Sequence, residues 1–213
     1  MLDRPMIDRR SANDVQVADY FRGEKRFFDA AEKISIVKIF SGDWHVSTQG
    51  NEMITTILGS CVSACIRDPV LGVGGMNHFL LPGEDGLDSQ VSDSARYGVF
   101  AMESLINGIL NAGGRKDRFE IKVFGGGNVI NNSTLIGSRN AEFIRAFLRR
   151  EGFRITSEDL EGDYPRRVHY FPDTGKVMLR QLRRREDKAI VEEEARYTRQ
   201  MITKLVEGDI ELF

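Results

Sequence analysis

Hydrophobic positions along this chain fall into short runs whose period changes from one region to the next. From residue 34 the first segments read as strands, over 34–40, 44–47, 53–58, 62–66 and 75–81. They are rich in β-branched and aromatic side chains and bounded by small or turn-forming residues. Ser41-Gly42-Asp43, Gly59-Ser60-Cys61 and Pro82-Gly83 supply the breaks, and residues 84–93 are polar and turn-rich. The period then becomes helical over 93–112, with apolar residues at 99, 102, 105, 106, 109 and 110 and Gly113-Gly114 as the stop. A strand over 119–124 runs into Gly125-Gly126-Gly127-Asn128, a stretch suited to unusual backbone angles. A second helix over 138–151 aligns Phe143, Ile144 and Phe147 and stops at Gly152. Strands over 154–157, 166–171 and 176–182 follow, the last two joined as a hairpin through Pro172-Asp173-Thr174-Gly175.

The flanks have a different texture. Residues 1–33 are charged and weakly patterned, with Val15, Val17, Tyr20, Phe21, Phe27 and Phe28 as apolar positions, and read as an N-terminal extension, helical or mobile. Residues 183–213 read as a charged helical extension with Ile190, Tyr197, Met201 and Leu205 on one stripe. Between them, 34–182 reads as one domain. The pattern predicts an α/β protein of the α+β layered-sandwich kind, with mixed or antiparallel sheets of short strands flanked by two or three helices.

Composition narrows the functional classes. With 41% apolar and 29% charged residues the chain is expected to build a globular core. A net charge of −2 gives no broad electrostatic footprint for nucleic acid. Arg149-Arg150 and Arg183-Arg184-Arg185 are short, have acids nearby, and read as solvated helix ends or partner contacts. No apolar run is long enough for a spanning helix, so no direct membrane insertion is expected. The N-terminus alternates charges where a signal peptide would be apolar, and there are two cysteines. A reducing, cytoplasmic setting is the expectation.

The chemistry-bearing stretch is Thr55-Thr56-Ile57-Leu58-Gly59-Ser60-Cys61-Val62, followed by Gly74-Gly75-Met76-Asn77-His78-Phe79. Cys61 follows a Gly-Ser turn, where backbone N–H groups lack ladder partners and are available to an oxyanion. Its thiol is expected to be solvent-reachable. A free thiol is only a few per cent ionised at neutral pH, and an imidazole that takes its proton corrects this. His78 lies opposite Cys61 if the two strands pair as a hairpin through residues 68–72. Such a base needs a group to fix its tautomer, and Thr55 is a candidate, with Thr56 beside it. Against this stands the plainer reading of a cysteine as a small buried hydrophobe and a histidine as hydrogen-bonded packing.

The run Leu58-Gly59-Ser60-Cys61-Val62, with Gly75-Met76-Asn77-His78-Phe79-Leu80-Leu81-Pro82, resembles the chemoreceptor glutamine deamidase family, CheD. Ala95-Arg96-Tyr97-Gly98, Phe124-Gly125-Gly126-Gly127-Asn128, Ile136-Gly137-Ser138-Arg139-Asn140 and Phe171-Pro172-Asp173-Thr174-Gly175-Lys176-Val177 continue it in family order. The resemblance implies a bacterial enzyme that hydrolyses glutamine amides on chemoreceptor cytoplasmic helices. It places the nucleophile on Cys61, the base on His78 and the orienting threonine on Thr55, and implies a CheC-type phosphatase as partner. Gly59, Ser60 and Asn128 are candidates for oxyanion or substrate binding, and neither metal nor organic cofactor is expected. A non-catalytic module that docks a phosphatase or receptor is the alternative, and a cysteine protease or acyl transferase shares the thioester chemistry.

Three other features read as structural. Cys65 would lie ~13 Å along a strand from Cys61, too far to share zinc with it, His45 and His78, so Cys65 is assigned to the core. The Gly125–Gly127 run lacks the ending of a phosphate loop and reads as a turn that lets backbone approach closely. His169, beside Arg166 and Arg167, is given no catalytic role.

Overall fold

The computed structural model describes residues 20, 25–81, 90–129, 136–182, 190, 192–197 and 199. The polar stretch after Pro82, Val15 and Val17, Arg183-Arg184-Arg185, Met201 and Leu205 lie outside the described residues. Among the described residues, ten strands form two sheets of five. In chain order they are β1 Arg26–Asp29, β2 Ile34–Lys38, β3 Trp44–Ser47, β4 Glu52–Leu58, β5 Val62–Asp68 and β6 Val73–Asn77, then β7 Glu120–Gly125, β8 Ile155–Leu160, β9 Arg166–Phe171 and β10 Lys176–Gln181. Helix α1 spans Gln90–Asn111 and helix α2 spans Ile136–Arg150. Residues 192–197 are helical as well.

One sheet has the order β1-β2-β4-β9-β10 and the other β3-β6-β5-β7-β8. Both are mixed, because β2 runs parallel to β4 and β7 parallel to β8 while the remaining pairs are antiparallel. This is the layered α+β arrangement that the periodicity predicts. The hairpin expected after Phe171 is present, with Phe171 paired to Lys176. Strand β1 comes from within the segment read as an N-terminal extension and pairs with β2. Its side chains are mostly exposed, which is why no buried pattern marked it.

The layers follow from which face each strand buries. Ile54 and Leu58 of β4 and Val168 and Tyr170 of β9 meet Cys61, Cys65, Met76 and Phe124 from the second sheet, forming the inter-sheet core. The other face of the second sheet, with Val62, Ala64, Ile66, Ile121 and Val123, takes Met102, Leu105 and Ile109 of α1 and Ile144 and Leu148 of α2. Strand β5 is therefore covered on both faces and buried almost from end to end. Helix α1 stops where Gly113 takes φ +93° and Gly114 donates to the Ile109 carbonyl at 2.9 Å. Tyr20, Ile57, Leu182 and Ile190 form a small third cluster on the outer side of β4.

Candidate active site

The turn between β4 and β5 is built by its neighbours. All three of its carbonyls are held from one side: Gly59 O accepts from Gly127 N at 2.8 Å, Ser60 O from Asn140 Nδ2 at 3.0 Å, and Cys61 O from Gly126 N at 2.7 Å. With those carbonyls anchored, the N–H groups of residues 59, 60 and 61 face the opposite way and converge. The glycine run is what allows this approach. Gly125 has φ +111°, and a Cβ there would stand 2.1 Å from the Cys61 carbonyl oxygen. The loop is thus the close-approach turn expected of it, and its partner is the turn that carries Cys61.

Antiparallel pairing of β5 with β6 continues past the strand ends as a bridge between Val62 and Phe79. Cys61 and His78 each precede a bridge residue, so they lie diagonally on the inter-sheet face, where the hairpin reading expects them directly opposite; the register sets Leu80 across from Cys61. The backbone of His78 is clamped by the 41–43 turn, with Gly42 N donating to His78 O at 2.8 Å and His78 N donating to Asp43 O at 3.0 Å. That turn also delivers Ser41, whose Oγ stands 3.4 Å from Cys61 Sγ and 3.1 Å from His78 Nε2. On the other side of the ring, His78 Nδ1 is 2.7 Å from Thr56 Oγ1, and Thr56 Oγ1 donates to Ile39 O at 2.8 Å.

These contacts set the proton positions. A carbonyl only accepts, so the Thr56 hydroxyl spends its hydrogen on Ile39 O and must accept from Nδ1–H. The imidazole is then the Nδ1–H tautomer, with its Nε2 lone pair toward Ser41. Ser41 O–H donates to Nε2 and its oxygen accepts from the Cys61 thiol. The hydrogen-bond chain Cys61–Ser41–His78–Thr56–Ile39 has one direction throughout.

The hydroxyl on the histidine is therefore that of Thr56, where the resemblance placed Thr55. The reason is strand alternation. Ile54, Thr56 and Leu58 face the inter-sheet layer that holds His78, while Thr55 and Ile57 face outward. Thr55 Oγ1 is buried with no hydrogen-bond partner among the described residues, and it is the Thr55 carbonyl that is used, accepting from Tyr20 OH at 2.8 Å.

Electrostatics keep the pair neutral as it stands. Burial lowers the His78 pKa from 6.5 to about 4, opposed by the Asp43 charge and the Ile39 carbonyl. Burial also pushes the Cys61 thiol well up, and the nearby Glu194 carboxylate adds to the effect. The expected solvent-reachable thiol is instead fully buried. The helical segment 192–197 lies against the turn that carries it. Glu194 accepts from Gly59 N at 3.2 Å, Ser60 N at 3.2 Å, Cys61 N at 3.1 Å and Ser60 Oγ at 2.6 Å.

The other candidates separate from this centre. Asn128 N donates to Gly162 O at 2.8 Å and its Nδ2 to Ser138 Oγ at 3.0 Å, so it ties the glycine loop to the β8–β9 connection and to α2. Its Oδ1 is buried without a partner among the described residues. Cys65 lies in the inter-sheet core. His45 Nε2 stands 2.7 Å from Glu52. Ser41, Asn140 and Glu194 were not singled out from the sequence. In the sequence Ser41 reads as turn composition, Asn140 stands at the end of a family motif, and Glu194 is one acid among many on a charged helix. Only its spacing with Ile190 and Tyr197, on one helical face, hinted that it points inward.

Comparison with known proteins decides the family. Residues 80–181 match the family model described as CheD chemotactic sensory transduction. A protein of Hydrogenovibrio crunogenus described as a probable chemoreceptor glutamine deamidase CheD is 48% identical over 187 residues, 87% of this chain and 97% of that one. The chain belongs to the CheD family. A second CheD protein so described, from Rhodopseudomonas palustris, is 51% identical over 191 residues, 89% of both chains. A third, from Janthinobacterium, is 48% identical over 190 residues, 88% of this chain and 93% of that one. Among solved structures, the Bacillus licheniformis hypothetical protein YfiH overlaps 68% of this chain and 66% of its own with a TM-score of 0.38 and 14% identity, too slight a likeness to argue from.

Proposed function

We propose that this chain is a cysteine-dependent protein-glutamine deamidase that converts glutamine to glutamate on the cytoplasmic helices of chemoreceptors. The observation that carries the reading is the one-directional chain from Cys61 through Ser41 to His78, set beside a turn whose three N–H groups converge. Membership of a family whose relatives are described as chemoreceptor glutamine deamidases supports the choice of amide and of receptor.

In this reading Cys61 Sγ adds to the side-chain carbonyl carbon of glutamine. Its proton moves to Ser41 Oγ as the Ser41 proton moves to His78 Nε2. The resulting imidazolium is held by Thr56 at Nδ1. The N–H groups of residues 59–61 take the oxyanion, and Ser60 Oγ lies beside them. His78 then protonates the departing nitrogen, ammonia leaves, and a thioester remains. Water attacks the thioester as His78 takes its proton, which releases glutamate and restores the thiol. The residues supply nucleophile, base, orienting hydroxyl and oxyanion donors without requiring a metal or organic cofactor. Receptor cytoplasmic helices as substrate place the enzyme in the cytoplasm, with a CheC-type phosphatase as the regulatory partner the family resemblance implies.

The test is amide-to-acid conversion. Purified protein incubated with receptor cytoplasmic fragments is expected to raise the mass of specific glutamine-bearing peptides. Cys61→Ala is expected to abolish this, and Cys61→Ala/His78→Ala to be scarcely slower than either single variant, because the two residues act as a unit. Full turnover by Cys61→Ala would overturn the assignment.

A further inference from the structure

Glu194 is the feature that the mechanism does not use. It reaches the nucleophile turn from more than a hundred residues away in sequence and is 7% exposed. Its carboxylate takes every N–H of the turn plus the Ser60 hydroxyl, the same donors that an oxyanion needs. A glutamate side chain is also the product of glutamine hydrolysis, identical in length to the substrate side chain.

The helix around it is laid along the site. Ile190, Glu194 and Tyr197 are spaced i, i+4 and i+7 and share one face. Ile190 packs against Gly59, where an added Cβ would come within 2.9 Å of its Cγ2. Tyr197 lies over Gly42, where an added Cβ would meet its hydroxyl oxygen at 2.4 Å, and its hydroxyl bonds that of Tyr97. The helix thus spans from the turn that carries Cys61 to the turn that carries Ser41.

We propose that residues 59–61 form the subsite for a glutamine side chain presented on a helix, and that the chain's own C-terminal helix fills this subsite with Glu194 as an internal product mimic. The assignment rests on the deamidase reading above and adds to it a site, a ligand geometry and a competitor. The turn itself does not depend on Glu194, because Gly126, Gly127 and Asn140 hold its carbonyls from the other side. Displacing the helix therefore leaves a formed subsite, open to a helix of similar stripe that bears glutamine at the central position. It also removes a negative charge that opposes the Cys61 thiolate. An intramolecular ligand of this kind acts at high effective concentration and raises the KM of any external helix that must compete with it.

The experiment compares full-length wild type with Glu194→Ala, Glu194→Gln and Tyr197→Ala, the last loosening the helix with Glu194 in place. Alkylation of Cys61 by iodoacetamide, followed by peptide mapping, is expected to be on the order of tenfold or more faster in Glu194→Ala and faster in Tyr197→Ala. The KM for a receptor fragment is expected to fall by a comparable factor in Glu194→Ala. In Glu194→Gln the introduced amide is expected to convert to acid in cis, and to persist when Cys61→Ala is added. Equal alkylation rates in wild type and both helix-loosening variants would overturn the proposal. So would persistence of the introduced amide in a preparation that turns over receptor fragments, because the helix would then cover the site without reaching it. Faster alkylation with neither the introduced amide nor any receptor fragment hydrolysed would leave the helix on the turn and sink the deamidase reading instead.

Discussion

At the scale of single residues, Thr55 and Thr56 are neighbours of the same type with opposite surroundings. The Thr56 hydroxyl links the imidazole to Ile39 O, while the Thr55 hydroxyl is buried with no hydrogen-bond partner among the described residues. Replacing Thr56 by valine keeps the shape and removes the acceptor that holds Nδ1–H, so turnover is expected to fall on the order of a hundredfold. Thr55→Val removes a buried hydroxyl and is expected to leave kcat near wild type and stability equal or up to about 1 kcal/mol higher. Deamidation kinetics and urea unfolding of the two variants check this, and a loss of kcat that followed Thr55 would return the orienting role to that residue. Neither outcome is readable from composition, since both positions offer the same functional group.

At the scale of elements, the site depends on a glycine loop pressed against a strand-end turn. Gly125 adopts φ +111° with its Cα hydrogen toward the Cys61 carbonyl. A Cβ there meets backbone that has nowhere to move, so Gly125→Ala combines steric strain with loss of the Gly126-to-Cys61 hydrogen bond. The expected cost is about 2–4 kcal/mol of stability, with a drop in kcat beyond the unfolded fraction because the oxyanion donors lose their aim. Gly152→Ala is the control: its φ of +75° strains an alanine, but open space surrounds it and it lies away from the site. Stability loss without the extra loss of kcat is expected there. Equal effects on kcat at both positions would show that the glycine loop does not aim the turn. Arg166 braces the same loop from behind, fully buried, donating to Gly125 O at 2.7 Å and Glu161 O at 2.6 Å and pairing with Asp159 at 2.9 Å.

At the scale of the whole molecule, the site sits inside the layer between the two sheets, and this burial links folding to pH. The His78 imidazole titrates at 6.5 when exposed and at about 4 in the fold. Its folded pKa is depressed, so its contribution is fully present above 6.5 and is lost as pH falls toward 4. At about 1.4 kcal/mol per pH unit this amounts to ~3 kcal/mol across that window. Urea unfolding of wild type and His78→Gln at several pH values is the check. The stability difference between them is expected to shift by that amount in favour of the variant as pH drops through the window. Parallel curves would mean that His78 is not held neutral by burial. Among the described residues no helix is long and apolar enough to cross a membrane.

Local chemistry settled much of this protein in the sequence itself. Short β-branched and aromatic runs between turn residues located most strands to within a few residues, and 3.6-residue periodicity located α1 and α2, because composition and amphipathicity are properties of neighbours in the chain. The Gly-Ser-Cys turn and the histidine seventeen positions on made Cys61 and His78 a candidate pair, because a hairpin brings such residues near each other by pairing, and the family resemblance weighted that reading over plain packing. Three facts needed the tertiary structure. Which threonine touches His78 depends on which face of β4 the second sheet covers. Ser41 and Asn140 gain their roles from segments that approach the turn from separate parts of the chain. Glu194 looks like any acid on a charged helix until that helix folds back, where three convergent N–H groups and a hydroxyl make one carboxylate among many the one that occupies the site.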